Sequence, residues 1–186
     1  MKTALLNPED IRHQIWKELG RATQDRHHEW RTPVLATAVQ GGEVNARTVV
    51  LRAADAATDT LTIYTDRRSP KVTELTQQAS AMFVFWSTRL SWQLRVKVET
   101  SVQTRGPLIQ SLWQSLGQSA AAGDYLGLAA PGEPLPTDKT PDSAAQTDHH
   151  FSVLTAKVIS MDWLELARSG HRRARLDAER WTWVTP

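Results

Sequence analysis

The sequence contains no cysteine among its 186 residues. That absence excludes a disulfide framework, a thiolate metal site and a cysteine nucleophile. The sequence also lacks any apolar run near the ~18–20 residues that a transmembrane helix requires, and its amino-terminal segment becomes charged too early for a signal peptide. We therefore expect a chain that works in a reducing, cytoplasmic setting and does not insert into a membrane.

An excess of charge of one sign is also missing, because 22 Lys and Arg stand against 20 Asp and Glu, which gives a net charge of +2. Nucleic-acid binding usually needs a larger basic excess or a basic stripe with interleaved aromatic residues. The basic cluster near the end of the chain shows no such interleaving; it consists of Arg168, Arg172, Arg173 and Arg175. We expect no nucleic-acid partner and assign this cluster to a dimer interface or a ligand site.

The constellations that mark metal sites and self-sufficient catalytic sites are absent as well. Two pairs of adjacent histidines occur, at residues 27–28 and 149–150, but adjacent side chains diverge on an extended chain and no carboxylate cluster accompanies them. No Ser/His/Asp arrangement or paired-carboxylate motif stands out. We therefore expect no bound metal, name no catalytic residue, and expect a cofactor to carry any redox chemistry.

The most informative stretch that is present covers residues 47–71. β-Branched runs predict a strand over residues 47–53 and a second strand over residues 61–65, with an Asp/Thr-rich turn at residues 56–59 between them. A polar corner follows at residues 66–69. Ser69 followed by Pro70 is a typical N-cap and first-turn pair, so a helix is expected to begin there.

The first turn of that helix carries charge of the wrong sign. Arg67, Arg68 and Lys71 crowd the positive end of the helix dipole, where each cation costs roughly 0.3–1 kcal/mol. A bound anion would remove this cost and use the free backbone N–H groups, and a phosphate fits. The alternatives are that the cations are solvated surface charges and that Ser69 is only a cap.

The remainder of the chain alternates strands with a few helices. A helix is predicted over residues 7–20 and another over residues 106–116, and a long, mobile surface loop over residues 117–147. Strands are predicted in six further places, which are residues 33–39, 81–86, 91–101, 151–163 and two short segments near residues 172 and 181–184. We expect the continuous apolar run at residues 81–86 to be a buried strand. The pattern predicts one domain over residues 1–186, mainly β with peripheral helices, built as a small antiparallel barrel.

Four sequence pieces together resemble the pyridoxamine 5'-phosphate oxidase family of FMN-binding proteins. They are RTVVLR at residues 47–52, YTDRRSPK at residues 64–71, WQLRV at residues 92–96, and the final segment with MDWLEL, GHRRAR and WTWVTP. The resemblance covers roughly residues 33–186. It implies a split β-barrel of the FMN-binding, antiparallel Greek-key type, and a homodimer with the flavin at its interface.

The resemblance also implies cofactor ligands. Arg47 and Lys71 would hold the FMN phosphate, with Ser69 and Arg68 as further candidates at the corner. The remaining expected flavin contacts are Val49, Val50, Leu51, Arg52, Tyr64, Thr65, Gln93, Trp163 and Arg175. Gln93 would contact the isoalloxazine, and Trp163 and Arg175 would close over FMN from the other subunit; the alternatives are a solvent-facing Gln93 and a Trp163 used for packing.

Three departures from the family pattern concern phosphate and substrate. Pro70 stands where the oxidases carry a second phosphate-binding Arg, so Arg67 or Arg68 must compensate. Residues 113–123 offer no convincing counterpart of the Tyr, Arg and Ser that grip the substrate phosphate. Ala174 stands where the oxidases carry a His. We therefore expect an FMN-dependent oxidoreductase that acts on a small molecule other than pyridoxamine 5'-phosphate, and the alternative is a non-catalytic flavin carrier, sensor or store.

One geometric question stays open at the sequence level. Arg47 and Arg52 lie five residues apart, so a regular strand would point them to opposite sides. A bulge between them, a ligand that lies across the strand end, or different roles for the two side chains would each resolve the conflict.

Overall fold

A computed structural model describes residues 7–39, 41–134, 149–177 and 180–186. In these residues nine strands form one antiparallel sheet with three α-helices and two short 3₁₀ turns around it. The strands are β1 (Val34–Ala38), β2 (Val44–Thr48), β3 (Leu51–Asp55), β4 (Thr60–Asp66), β5 (Ser80–Ser87), β6 (Trp92–Gln103), β7 (Phe151–Glu165), β8 (Arg172–Asp177) and β9 (Arg180–Val184). The helices are α1 (Pro8–Gln24), α2 (Pro70–Gln77) and α3 (Pro107–Leu116), and the 3₁₀ turns are Glu29–Arg31 and Ala120–Tyr125. The predicted mainly β class with peripheral helices is confirmed.

The sheet is curved but not closed. Its strand order is β2-β1-β5-β6-β7-β4-β3, and the β8–β9 hairpin continues from β7 beside β4. The first half of β7 pairs with β4 and its second half pairs with β8, while β6 follows β7 along its length. Strands β2 and β3, which are neighbours in sequence, therefore form the two ends of this order.

The helices begin where the capping residues predict. Asn7 accepts a hydrogen bond from the Asp10 amide at the start of α1, and Ser69 precedes Pro70 at the start of α2. The first helix runs to Gln24, four residues past its predicted end, because Arg31 donates to the carbonyl oxygens of Ala22 and Thr23 and so satisfies the last turn. This partner lies eight or nine residues away, which is why the local pattern did not show it.

The core lies on the inner face of the sheet. Alternate residues of β6 point inward, and Trp92, Leu94, Val96 and Val98 are all buried, as their strict alternation predicts. Strand β5 alternates too, so the expectation of a strand buried on both faces is wrong at residues 81–86. Phe83 and Phe85 are buried, whereas Trp86 is 46% exposed on the outer face.

The predicted strand over residues 47–53 is in fact two strands. It breaks at Val49 and Val50, where the Val49 amide donates to the Pro33 carbonyl, and each part pairs with a different partner. The register of β3 on β4 also shifts between Leu51 and Ala53, which marks a bulge at Arg52. Arg47 and Arg52 therefore belong to different strands, with a break and a bulge between them, so the regular-strand argument from their spacing does not apply.

Most of the long loop predicted at residues 117–147 has structure or lies outside the described residues. Residues 120–125 form the second 3₁₀ turn and residues 126–134 run on without regular structure. The loop prediction for residues 135–147 falls outside the described part of the chain. Among the described residues, no helix is long and apolar enough to cross a membrane.

Candidate functional site

The corner before α2 holds a half-buried lysine that is bound only by hydroxyl groups. Lys71 Nζ donates to Ser69 Oγ at 2.6 Å and to Thr65 Oγ1 at 3.0 Å. No carboxylate of the described residues lies within ion-pair distance of it. Burial lowers the pKa of Lys71, and the nearby Arg47 guanidinium lowers it further. A cation in this position is destabilised by its surroundings and would be relieved by an anion.

Arg47 lies on β2 beside this lysine but has a partner of its own. Its guanidinium donates to Glu74 Oε2 at 2.9 Å and to Thr37 Oγ1. Burial would raise the pKa of Glu74, but hydrogen bonds from Thr37, Asn45 and Arg47 lower it below the ordinary value. The carboxylate therefore stays charged and pairs with Arg47. Asp66 and Glu74 raise the pKa of Lys71 by less than burial and Arg47 lower it, so Lys71 is left as a cation that its surroundings disfavour.

The three other polar residues of the corner have different surroundings. Ser69 occupies the N-cap position of α2, but its hydroxyl accepts from Lys71 and makes no capping bond. Arg68 donates to both carboxylate oxygens of Asp66 and to the backbone carbonyls of residues 127 and 128, in the loop after the second 3₁₀ turn. The Arg67 side chain makes no hydrogen bond or ion pair with any residue in the described ranges. Of the two arginines expected to compensate for Pro70, Arg67 is thus the available one.

Arg52 lies on β3 at the bulge and makes no ion pair with a carboxylate of the described residues. The Arg52 guanidinium sits 5.4 Å from the centre of the Tyr64 ring, and its Nε is buried without a partner in the described structure. Burial raises the pKa of Tyr125, and the charge and hydrogen bond of Arg52 offset part of that rise. Tyr64 and Tyr125 both pack on Phe151 in a small apolar cluster under α3.

Sequence reasoning missed Tyr125. We expected no substrate-gripping Tyr in residues 113–123, and Tyr125 stands two positions beyond that window, in the second 3₁₀ turn. A lone Tyr in an Ala/Gly-rich stretch carries no periodic signal. Its position depends on contacts between distant parts of the chain, namely the hydrogen bond from the His150 amide to the Tyr125 carbonyl and the packing of its ring on Phe151.

Gln93 and Arg175 lie on the outer face of the sheet, away from the core. The pairing registers place outward residues of five strands, β1 and β5 to β8, in one surface, which we call the open face. All of its side chains are at least partly exposed, and they are Val34, Ala36, Met82, Val84, Trp86, Gln93, Arg95, Asp162, Leu164, Arg173 and Arg175. Gln93 lies between Trp86 and Leu164 in this surface.

The charged half of the open face is organised by one aspartate. Asp162 accepts hydrogen bonds from Arg95 at 2.5 Å, from Arg173 at 2.8 Å and from Arg175 at 3.3 Å. Burial alone would raise the pKa of Asp162, but the hydrogen bonds from Arg173 and Arg95 lower it to about 2. Three cations share one carboxylate, so this half of the open face keeps a positive excess.

Trp163 is placed differently from the expected flavin contact. Its side chain is fully buried on the inner face and packs edge-on against Trp92, with ring centres 5.2 Å apart. Buried in this way, it presents no free ring face to a ligand, and the packing interpretation accounts for its position. We therefore leave Trp163 out of the site proposed below.

Apart from Gln93 and Arg175 on the open face and the buried Trp163, the structure gathers the predicted residues into two groups. The corner contains Arg47, Thr65, Ser69 and Lys71, and the break at Val49 and Val50 follows Arg47 closely in the chain. Arg52 and Tyr64 form a neighbouring group with Tyr125 on the other side of the β3–β4 hairpin. In the described residues no group of three or more His, Asp or Glu side chains could hold a metal ion.

Comparison with known proteins gives a consistent result for family and fold. Residues 13–104 match the family model described as "Pyridoxamine 5'-phosphate oxidase, FMN-binding domain". The curated proteins contain no match to the chain.

Several solved structures share the fold over nearly the whole chain. A pyridoxamine 5'-phosphate oxidase-related, FMN-binding protein from Nostoc punctiforme superimposes with a TM-score of 0.70 at 23% identity, over 97% of this chain and 99% of that one. PhzG from Burkholderia lata, solved in complex with tetrahydrophenazine-1-carboxylic acid, gives a TM-score of 0.70 at 17% identity over the full length of both chains. A protein from Clostridium acetobutylicum related to general stress protein 26 gives 0.55 at 10% identity over 90% and 93%.

These neighbours carry the split-barrel fold, and their likeness at this level of identity concerns the fold alone. The matched segment, residues 13–104, contains the RTVVLR, YTDRRSPK and WQLRV pieces together with the Lys71 corner. Residues 13–104 therefore belong to the family of the pyridoxamine 5'-phosphate oxidase FMN-binding domain.

Proposed function

We propose that this chain binds FMN with the phosphate at the Lys71 corner and works as a homodimeric FMN-dependent oxidoreductase. The observation that carries the proposal is Lys71 itself. It is a half-buried ammonium group whose pKa is lowered, with two hydroxyls and a guanidinium around it and no carboxylate within ion-pair distance in the described residues. A phosphate supplies the missing negative charge.

The residues of the corner fit a phosphate chemically. Lys71 supplies a point charge, Ser69 and Thr65 supply hydroxyl groups, and the first turn of α2 supplies backbone N–H groups and the positive end of its dipole. Arg47 adds positive potential while Glu74 holds its side chain in place. Arg67 is a further cation that has no other partner among the described residues.

The rest of the cofactor would extend from this corner to the open face. FMN supplies the ring that accepts the hydride, and the protein orients that ring and shields it from water. We assign backbone contacts to residues 49–51, where the strand is interrupted, and a ring contact to Gln93. Since Gln93 lies on the open face, this contact requires the flavin to reach that face.

The open face supports the homodimer. Its apolar half combines Trp86, Met82 and Val84 with the alanine and valine of β1, while its other half carries the arginines around Asp162. An apolar centre with arginine and aromatic residues at its side is the composition of a protein interface. A second copy of the chain would cover this face and bury a ring bound against Gln93, and Arg175 would reach the partner's cofactor.

On the substrate side, the chain offers one cation where the oxidases use several groups. Arg52 and the Tyr125 hydroxyl lie together, and Ala174 is buried and apolar. A single guanidinium beside a phenol suits one carboxylate better than a phosphate dianion. PhzG, a protein of the same fold, is solved with a carboxylic acid. We propose a small substrate with one acidic group, and poor use of pyridoxamine 5'-phosphate.

Titration of the purified protein with FMN and with riboflavin tests the central claim. We expect stoichiometric FMN binding and much weaker riboflavin binding, since riboflavin lacks the phosphate. Equal affinity for both would contradict the role of Lys71. Light scattering of the FMN-loaded protein is expected to show a dimer, and a fully loaded monomer would contradict the assembly.

Turnover separates the enzyme from a carrier or store. The flavin is photoreduced without oxygen and then exposed to air, and its reoxidation is followed. In a second, anaerobic experiment the oxidised protein is mixed with candidate amine or acid substrates, and reduction of the flavin is followed. An enzyme is reduced by its substrate, whereas a carrier is not. For pyridoxamine 5'-phosphate we expect kcat/KM below ~10⁴ M⁻¹s⁻¹, the lower edge of ordinary enzymes. A higher value would show that Arg52 and Tyr125 suffice for the phosphate.

A further inference from the structure

The loop after the second 3₁₀ turn is fastened to the proposed cofactor corner by a single side chain. We call residues 126–134 the strap. Arg68 donates from Nη2 to the Gly127 carbonyl at 2.9 Å and from Nη1 to the Leu128 carbonyl at 2.9 Å. Asp66 orients the same guanidinium through bonds of 2.7 Å and 3.1 Å. An irregular segment is thus held by its backbone to the residue three positions before Lys71.

The far end of the strap lies against the beginning of α2. Gly132 adopts a positive φ of 93°, and a Cβ atom there would meet Pro70 Cγ at 3.7 Å, which is ordinary van der Waals contact. Hydrogen bonds between Ala130 and Glu133 close a turn at this point. Glu133 also raises the pKa of Arg68, after the larger effect of Asp66, so its carboxylate lies near the guanidinium. The strap therefore passes over Arg68 and Pro70, beside the lysine of the corner.

The near end of the strap is attached to the other cation of the site. Tyr125 precedes it directly, its carbonyl accepts from the His150 amide, and its hydroxyl lies beside Arg52. Leu126 and Leu128 are 36% and 52% exposed, so apolar burial does little to hold the strap down. Its attachment in the described structure depends on polar contacts, and Arg68 makes the largest number of them.

We infer that the strap retains the cofactor kinetically and that Arg68 is a positioning residue which fastens it, not a ligand of the phosphate. This inference rests on the function proposed above. Arg68 uses its donors on Asp66 and the two carbonyls, so they are engaged before any anion arrives. The phosphate would be bound by Lys71, and the strap would slow its escape past Pro70.

Limited proteolysis of the FMN-free protein tests the attachment without any cofactor. Chymotrypsin cuts after leucine and aromatic residues, but a folded loop must detach before it fits a protease site. Arg68→Ala is expected to speed cleavage after Leu126 and Leu128 about tenfold, the effect of losing a charge-assisted hydrogen bond. Arg67→Ala is the matched control, and it removes a neighbouring arginine that has no partner in the described residues. Unchanged cleavage in Arg68→Ala would show that Arg68 does not hold the strap.

Dissociation rates of FMN and riboflavin then test retention. A fastened strap hinders both ligands, so Arg68→Ala is expected to speed release of both by a similar factor of about ten. Lys71→Ala is expected to speed release of FMN alone. Faster release of FMN with unchanged riboflavin in Arg68→Ala would make Arg68 a phosphate ligand and overturn the inference. Faster proteolysis with unchanged release of both flavins would overturn retention.

The proteolysis and dissociation experiments also separate this inference from the proposed function. A wild-type protein that binds no flavin would overturn the proposed function and the retention role together. The proteolysis rates would still decide whether Arg68 anchors the strap.

Discussion

Two clusters of buried charge in this molecule are built in opposite ways. Around α1, the carboxylate of Glu18 is 1% exposed and accepts hydrogen bonds from His28 at 2.8 Å, Arg89 at 2.6 Å and Gln14 at 2.8 Å, with Arg21 at 3.3 Å. At the α2 corner, Lys71 is bound by two hydroxyls and repelled by Arg47. The first cluster satisfies its charge internally and the second does not.

The difference separates a structural network from a binding site. Burial raises the pKa of Glu18, but its partners lower it below the ordinary value, so the native fold favours the charged form. The pKa of Lys71 is also lowered, which for a cation means that the native fold disfavours the charge. Removing Glu18 should therefore damage the fold, whereas removing Lys71 should damage only ligand binding.

The largest effect is expected for Glu18→Gln, which leaves Arg89 and His28 without their shared carboxylate. Loss of one partner of a buried pair costs about 3–5 kcal/mol, and because Arg89 and Arg21 are half exposed we expect the low end, about 3 kcal/mol of unfolding free energy. Urea unfolding measures it. Glu9→Gln, an exposed carboxylate in the first turn of the same helix, is the control and should change stability by less than about 0.5 kcal/mol.

If Glu18→Gln changes the unfolding free energy no more than Glu9→Gln does, the network around Glu18 does not stabilise the fold. The contrast between Glu18 and Lys71 would then fail.

The second-largest effect is expected for Lys71→Met, and it concerns the affinity for FMN. We expect FMN affinity to fall by about one to two orders of magnitude, because a charge-assisted bond to phosphate contributes roughly 1.5–3 kcal/mol. Riboflavin affinity should not change, and the free protein should lose no more than about 0.5 kcal/mol of stability. Parallel titrations and urea unfolding measure both quantities, with the exposed Lys17→Met as the control. A large loss of stability would place Lys71 in the structural class with Glu18.

Arg47→Met is expected to reduce both stability and FMN affinity, because Arg47 is paired with Glu74 and also faces Lys71. We expect a loss of about 1–2 kcal/mol in unfolding free energy from the broken pair, and a loss of FMN affinity of about threefold to tenfold, smaller than for Lys71→Met. The exposed Arg26→Met serves as the control. An effect on FMN larger than that of Lys71→Met would mean that Arg47 leaves Glu74 and binds the phosphate directly.

The smallest effect is a pair of pH dependences that have the same sign and lie in separate pH ranges. Because the native pKa of Glu18 is lowered, its stabilising contribution is present above the ordinary value of 4.5 and is lost as the pH falls below it. For Lys71, whose native pKa is lowered from 10.5, the unfolded chain holds the proton longer, so the stability of the free protein rises as the pH increases through the native pKa towards 10.5.

FMN affinity should fall over that same alkaline range, since the deprotonated lysine no longer attracts phosphate. Unfolding and titration series across pH, each repeated with Glu18→Gln and Lys71→Met, measure these trends. A wild-type trend that survives in the variant would assign it to another group.

Local sequence signals predicted most of the fold. The Ser69–Pro70 pair and the alternation of β6 each act within a few residues, and the structure confirms the elements that they predict. The sequence could not show that residues 47–53 divide into two strands, because that break follows from pairing with β1 on one side and β4 on the other. It also could not show that Trp86 faces outward, because residues 81–86 are all apolar and no polar residue marks the exposed face of the strand.

The residues of the candidate site show the same difference between local and long-range signals. Lys71 followed from the misplaced charge at a helix start, a local argument. The burial of Trp163, the engagement of Arg68 by the strap and the approach of Tyr125 to Arg52 all depend on contacts between residues that are far apart in sequence. Residue type alone gives no information on such contacts.

The two-residue break at Val49 and Val50 has a consequence for how this chain folds. It joins β2 and β3, the two ends of the strand order, so one continuous segment of the chain supplies both margins of the curved sheet. The β1–β2 and β3–β4 hairpins close short loops and can form within microseconds, whereas β4 pairs with β7 across about ninety residues. Because long-range pairing is slow, we expect both margins to form early while still tethered to each other, and β7 to join last and set the folding rate. A circular permutant opened between residues 49 and 50 would release that tether, and its refolding should be slower than that of the native chain.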